Sequence, residues 1–293
     1  MDMKHLQTFV LTARTLNFRK AAEQLFLAQP TVTQHIRLLE TELRVQLFDR
    51  GGKRVRLTPA GDRFLQYAEQ LLHVYEEGVQ ELTGWQQGYR DRLVLAVSPL
   101  VARSTLPRVM RKFTVAHPDI EVVVHIALSP EIPAMVTDGR AHLALSRMPA
   151  HSRDLHSYVW YHDPVVLVVS SDGMDLDAPP PDWRDVLSRY RLLTHNHPIY
   201  WDDLLLSIHR QGVRVRSMEV SLVDITKVFI EEGLGVSFLP ASTVRRELME
   251  GRLMEVPTPG LPMPMAATYV IHQAAGPSEA ATTFMGFLGP LPR

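Results

Sequence analysis

The stretch from residue 17 to residue 57 most constrains what this chain can fold into, because two short helices and a basic hairpin follow one another in it. Asn17 stands where an N-cap belongs, and Phe18, Ala21, Ala22 and Leu25 recur along one helical stripe. The two alanines leave room for a neighbouring helix to cross closely. A second helix carries Pro30 in its first turn, where the missing N–H costs nothing, and Val32, Ile36, Leu39 and Leu43 at inward spacing. Its other face holds Gln29, Thr31, Thr33, Gln34 and Arg37. Amides and hydroxyls that both donate and accept, with a guanidinium suited to guanine, are what base edges in a major groove require. Two helices joined by a short turn, the second with such a face, predict a helix-turn-helix.

Residues 47–57 then place Gly51 and Gly52 between two short strands that alternate basic and apolar residues. The pattern predicts a wing whose Arg50, Lys53, Arg54 and Arg56 address the phosphate backbone or the minor groove. A small helical bundle with a solvated polar face would account for the helix pair alone. It does not account for helix pair, polar face and basic hairpin in sequence. Charge points the same way: residues 1–60 hold 10 Lys+Arg against 5 Asp+Glu, and the remainder holds 21 against 27. A polyanionic partner is expected at the N-terminal end only.

Residues 3–66 resemble the N-terminal domain of the LysR-type transcriptional regulators. The resemblance is carried by Leu6, Phe9, Phe18, Ala21-Ala22, Leu25, Gln29-Pro30, Gln34 to Ile36, Leu39-Glu40, Leu47-Phe48-Asp49-Arg50, Leu57-Thr58 and Ala60-Gly61. One departure is Ala28, where the family usually has a serine capping the recognition helix; its loss costs about 1 kcal/mol. The resemblance extends more loosely over the rest of the chain. It implies a multi-domain α+β protein: an N-terminal winged helix-turn-helix, a long linker helix, and a two-lobed α/β effector domain like the periplasmic binding proteins. The expected boundaries are 1–58 for the DNA-binding domain, 59–86 for the linker helix and 87–91 for a hinge. The effector domain then takes 92–293, with lobe I at 92–163 plus 267–293 and lobe II at 164–266.

A supporting helix is expected over residues 3–15, with Leu6, Phe9, Val10 and Ala13 buried. Thr58, Pro59 and Asp62 form a helix start, and that helix runs to about residue 85. Phe64, Ala68, Leu71, Tyr75, Val79 and Leu82 make a narrow apolar seam on it, which a second copy of the chain could cover. Beyond a polar, glycine-bearing stretch, short strands alternate with helices: strands near 93–97, 120–126, 142–146, 165–169, 192–193, 213–220, 236–239 and 267–271, helices near 104–116, 130–138, 200–211, 223–232, 241–250 and 278–288. This alternation predicts a mostly parallel sheet covered by helices. That the last strand and helix return to the first lobe is implied by the resemblance alone.

Ligands of such domains sit past strand C-terminal ends, near helix N-termini. The candidates there are Ser98, Leu100, Arg103, Ser129, Arg147, His195, Asn196 and Thr226, six of which match positions where the family usually contacts its effector. Two arginines with hydroxyls and imidazoles suit a small anion, such as a di- or tricarboxylic acid. The family commonly has Gly-x-x-Asp-Leu-Ala where this chain reads Gly139-Arg140-Ala141-His142-Leu143-Ala144, so His142 replaces an acid.

Other chemistries find little support. The chain of 293 residues has no cysteine, which excludes disulfides and Cys-ligated metals. A His195-x-His197 pair on a strand would point both rings to one face, but with His151, His156 and His162 it reads better as scattered histidines than as a metal site. No Gly-x-Ser-x-Gly elbow, Ser-x-x-Lys, phosphate loop or dinucleotide fingerprint occurs, so neither an enzyme nor a cofactor is expected. With no apolar run of 18 residues and no apolar leader, a cytoplasmic bacterial protein without membrane contact is expected. The partners implied are double-stranded promoter DNA, a small effector, further copies of the chain (a dimer through the linker helix, then a tetramer) and RNA polymerase. The rival readings are an architectural DNA-binding protein whose C-terminal domain only oligomerises, and an enzyme built on the binding-protein fold.

Overall fold

The computed structural model describes residues 1–49, 51, 55–172 and 179–289. Three expected wing residues, Arg50, Lys53 and Arg54, lie outside the described residues. The chain forms two compact units, Met1–Gly88 and Tyr89–Arg293.

In the first unit, α1 (Met3–Thr15) starts at Asp2, whose carboxylate accepts the Lys4 N–H, and α2 (Phe18–Leu25) starts at Asn17, whose side chain accepts from Arg19 and Lys20. After α3 (Gln29–Leu43), strands β1 (Phe48–Asp49) and β2 (Arg56–Leu57) pair antiparallel with Phe48 opposite Leu57. The long helix α4 (Pro59–Gln86) begins at Thr58, whose hydroxyl accepts the Gly61 N–H. Leu6, Phe9, Ile36, Leu39, Leu47, Phe48 and Ala68 form one core, with Phe48 in edge contact with Phe9 and Phe18. The Glu40 carboxylate accepts the N–H groups of Leu47 and Phe48, tying the end of α3 to the wing. Gly61 is obligatory: a Cβ there would meet the Leu47 carbonyl oxygen at 2.2 Å.

The seam expected on α4 divides. Ala68 is buried and Phe64 half-buried against their own unit, whereas Leu71, Tyr75, Val79 and Leu82 are exposed, together with Tyr67, Val74 and Trp85. The first two therefore belong to the domain core, and only the later turns keep an uncovered apolar stripe.

The second unit opens with β3 (Asp91–Val97), whose first residue lies in the segment expected as hinge. Next come α5 (Pro99–Ser104), α6 (Leu106–Ala116), β4 (Ile120–Ile126), α7 (Ile132–Thr137) and β5 (Leu143–Ser146). Strand β6 (Leu155–Ser170) is 16 residues long. It is followed by α8 (Trp183–Arg189), β7 (Leu192–Thr194), α9 (Trp201–Arg210), β8 (Ser217–Glu219), α10 (Val223–Glu231), β9 (Ser237–Pro240), α11 (Ala241–Met249), β10 (Leu253–Val256), β11 (Met265–Gln273) and α12 (Glu279–Met285).

The sheet is mixed rather than mostly parallel. β3 pairs parallel with β4 and β5, and β7 with β8, but β11 runs antiparallel to β5 and β6, and β6 antiparallel to β9 and β10. The reason lies in the two crossings. The first half of β6 joins β11 beside β5, its second half joins β9 and β10, and the return from β10 to β11 runs back against it. Apolar residues of β3, α6, β5, β11 and α12 pack together on one side of this crossing. Those of the second half of β6, α8, α9 and β9 pack on the other. Among the described residues no helix is long and apolar enough to cross a membrane.

Candidate functional site

The second helix of the helix-turn-helix carries the first candidate surface. Gln29, Pro30, Gln34 and Arg37 are exposed on α3, Thr31 and Thr33 are half-buried beside them, and Arg56 is exposed on the wing. The Thr33 hydroxyl donates to the Gln29 carbonyl, which spends its proton inside the helix and leaves an acceptor outward. On the opposite side His35 Nδ1 meets the Thr8 hydroxyl at 2.9 Å and its ring lies 4.7 Å from that of His5, fixing the roll of α3 on α1. Ala28 has the extended backbone of a cap but makes no side-chain cap hydrogen bond.

The second candidate lies where the lobes of the second unit meet. β3 and β5 run parallel with Val97 opposite Leu145, so Ser98 and Arg147 leave neighbouring strand ends. Ser129 joins them, its hydroxyl accepting the Arg147 N–H at 3.3 Å. Arg147 is 1% exposed. One Nη reaches Asp163 at 3.4 Å and the guanidinium lies 5.8 Å from the Tyr161 ring centre, but its Nε and Nη1 have no partner, nor does the Ser98 hydroxyl. Asp163 is held from the other lobe: the Ser242 N–H and hydroxyl at the start of α11 both donate to it, at 3.1 and 2.5 Å. A buried guanidinium with two open donors is suited to a carboxylate, and leaving such donors unpaired costs about 1–3 kcal/mol each.

The remaining expected contacts separate. Asn196 and Thr226 are buried but internally engaged: the Asn196 amide donates to Ser237 and Thr226 and accepts from Trp201, and the Thr226 hydroxyl donates to the Leu222 carbonyl. Leu100 packs against the apolar cluster of α10 and β9. Arg103 is outside the buried group. It is 64% exposed, pairs with Asp224 at 3.1 Å, and lines a separate cavity of about 540 Å³ with Lys227 and Arg252. Lys227 there is buried and paired to Glu247 at 2.7 Å.

The two histidines do not share a face. β7 ends at Thr194, and His195 turns the chain with a left-handed φ of 61°, so its ring is exposed while that of His197 is buried. His197 stacks on Tyr200 with ring centres 4.4 Å apart, and burial first, then the charge of Arg147, lowers its pKa to about 3. Tyr200 is likewise pushed far up by burial, and its hydroxyl donates to the Phe238 carbonyl. Sequence reasoning missed Asp163, Tyr161 and Ser242, which sit mid-strand or at a helix start with no motif around them, and weighed His197 as half of a His-x-His pair. His142, in place of the family's acid, exchanges hydrogen bonds with Val94 at the start of β5, a role in strand pairing. Among the described residues no group of three or more His, Asp or Glu is placed to hold a metal.

A helix-turn-helix with a wing, a long helix and a two-lobed α/β domain together have the make-up of a transcription regulator with an effector-binding domain. Residues 3–62 match the family described as bacterial regulatory helix-turn-helix protein, lysR family, and residues 86–291 match the LysR substrate binding domain. The chain belongs to the LysR family of transcriptional regulators; it is a regulator and not an enzyme. It is 45% identical over 288 residues to the HTH-type transcriptional regulator CitR of Bacillus subtilis (strain 168), covering 98% of each chain. It is 39% identical to the uncharacterized HTH-type transcriptional regulator YxjO of the same organism, covering 92% of each. Among solved structures, full-length CbnR in complex with its target DNA has the same fold, with a TM-score of 0.72 at 18% identity, covering 98% of this chain and 99% of that one.

Proposed function

We propose that the chain binds promoter DNA through α3 and the wing and that a small carboxylic acid, held between the lobes, controls that binding. Gln29, Pro30, Thr31, Thr33, Gln34 and Arg37 address the major groove, and Arg50, Lys53, Arg54 and Arg56 the backbone. The exposed stripe of α4 pairs with that of a second copy, and dimers pair into a tetramer. The observation that carries the ligand reading is Arg147, fully buried at a strand end with Nε and Nη1 open, beside an unpartnered Ser98 hydroxyl. Ser129 anchors its backbone, and Asp163 balances part of its charge. A di- or tricarboxylate supplies the acceptors this group lacks.

The test is a thermal-shift screen of the full chain against citrate, tricarballylate, succinate, 2-oxoglutarate, sugar phosphates and amino acids. An acid at one hundred times its dissociation constant adds about 2.7 kcal/mol, a shift of several degrees. One acid should shift the wild type and leave Arg147→Met unmoved. A screen in which no acid moves the wild type sinks the carboxylate reading and leaves the architectural one standing.

A further inference from the structure

His197 is 3% exposed, and its two ring nitrogens have different fates. Nδ1 accepts the Ile199 N–H at 3.3 Å. A nitrogen that accepts a backbone N–H carries no proton, so the neutral ring holds its proton on Nε2. That Nε2 is buried and has no partner. The same surroundings keep the ring neutral, with burial and Arg147 acting together.

Among the described residues no group accepts this proton. The Asp163 carboxylate is occupied by Arg147 and by both donors of Ser242. The Tyr200 hydroxyl donates to Phe238 and the Asn196 carbonyl oxygen accepts from Trp201, and neither is bonded to Nε2. The buried polar atoms without a partner include Nε and Nη1 of Arg147 and Nε2 of His197, all donors, together with the Ser98 and Thr268 hydroxyls, which can do either. A set of open donors selects a ligand that brings acceptors, and disfavours one that brings an ammonium group to the same place.

We infer that His197 is a specificity-determining residue of the effector cleft, donating its Nε2–H to a ligand oxygen other than the carboxylate gripped by Arg147. The ligand class is thereby narrowed to acids with a second oxygen acceptor, a further carboxylate or a keto group, in preference to monocarboxylates and to amino acids of the same length. The assignment rests on the carboxylate reading of the cleft given above.

The experiment uses the full chain and two variants. His197→Phe keeps a flat ring to stack on Tyr200 and removes the donor; His197→Gln gives up the stack and keeps an N–H. Calorimetric titration with citrate, tricarballylate, succinate, 2-oxoglutarate, glutamate and butyrate is the readout. His197→Phe is expected to weaken the best-bound polyacid at least tenfold and to leave butyrate unchanged, and His197→Gln to recover most of the loss. Nitrogen-15 spectra of the wild-type imidazole are expected to show Nε2 protonated and Nδ1 bare, and the Nε2 signal to move when the best-bound polyacid is added; an unmoved signal overturns the assignment even should His197→Phe fail to fold. Equal polyacid binding by wild type and His197→Phe, or a proton on Nδ1, overturns the assignment while the carboxylate reading survives. Failure of every acid to bind the wild type overturns both.

Discussion

Burial turns His197 and Arg147 from surface-type residues into a matched pair of donors. The ring of His197 has its pKa lowered to about 3, by desolvation first and by the Arg147 charge second. The unfolded chain protonates this imidazole near about 6.5. Below that pH the unfolded state therefore binds a proton that the folded state does not. The stability involved is fully present above about pH 6.5 and is lost as the pH falls toward about 3. Between pH 6.5 and 5 the loss comes to about 2 kcal/mol. Urea unfolding at those two pH values should show a drop in the wild type that is smaller by that amount in His197→Phe; equal drops would mean the ring titrates as an exposed one does. Residue identity was only partly legible beforehand. Ser98, Ser129 and Arg147 could be found because each follows a short apolar strand. The two rings of the His-x-His pair could not be told apart, because the parity rule for strands holds only while the strand continues, and β7 stops at Thr194.

Elements were legible where caps and prolines mark them, and obscured where tertiary pairing made them. Asn17 and Thr58 each accept a backbone N–H at a helix start, so α2 and α4 begin where their cap residues say. The helix expected over 104–116 is α6, which starts two residues later, at Leu106, because Pro107 is tolerated only in a first turn. α5 itself was overlooked, as were α8 behind Pro179 to Pro181 and the short β10. Only residues 165–169 of β6 were visible, since its first half carries His156, Ser157 and His162 and is made a strand by its pairing with β11. The strand expected over 213–220 shrinks to Ser217–Glu219. The recognition helix lacks the cap its neighbours have, with Ala28 exposed and already in the backbone conformation a cap needs. Ala28→Ser is expected to add about 1 kcal/mol to the first turn of α3. Since Pro30 has no N–H, the new hydroxyl would accept from Thr31, and hydrogen exchange at the Thr31 and Val32 amides should slow by about fivefold. Unchanged exchange would mean that the first turn is already fully held by the Ala28 carbonyl, which accepts both amides.

At the scale of the whole molecule, the positive charge of the first 60 residues and the donors of the interlobe cleft lie in different compact units. A regulator must couple them, and coupling is a free energy shared by both ligands rather than a property of either site. The fold offers an element for it, since Asp163 and Ser242 join residues on either side of the β6 crossing to Arg147, the group a carboxylate would engage. An acid that draws Arg147 toward itself changes the balance of that junction, and it shifts a population only by its difference in affinity for the two arrangements. Thermodynamic reciprocity then gives a test that needs no transcription assay. If the acid changes the affinity for cognate DNA by some factor, expected at about 5- to 150-fold, the DNA must change the affinity for the acid by the same factor. Titrating acid into the free protein and into its complex with cognate DNA, and DNA into the free and the acid-bound protein, gives both factors. Equal factors above one establish that cleft and helix work as one device. Two factors of one would leave an acid-binding domain and a DNA-binding domain that share a chain without sharing a signal.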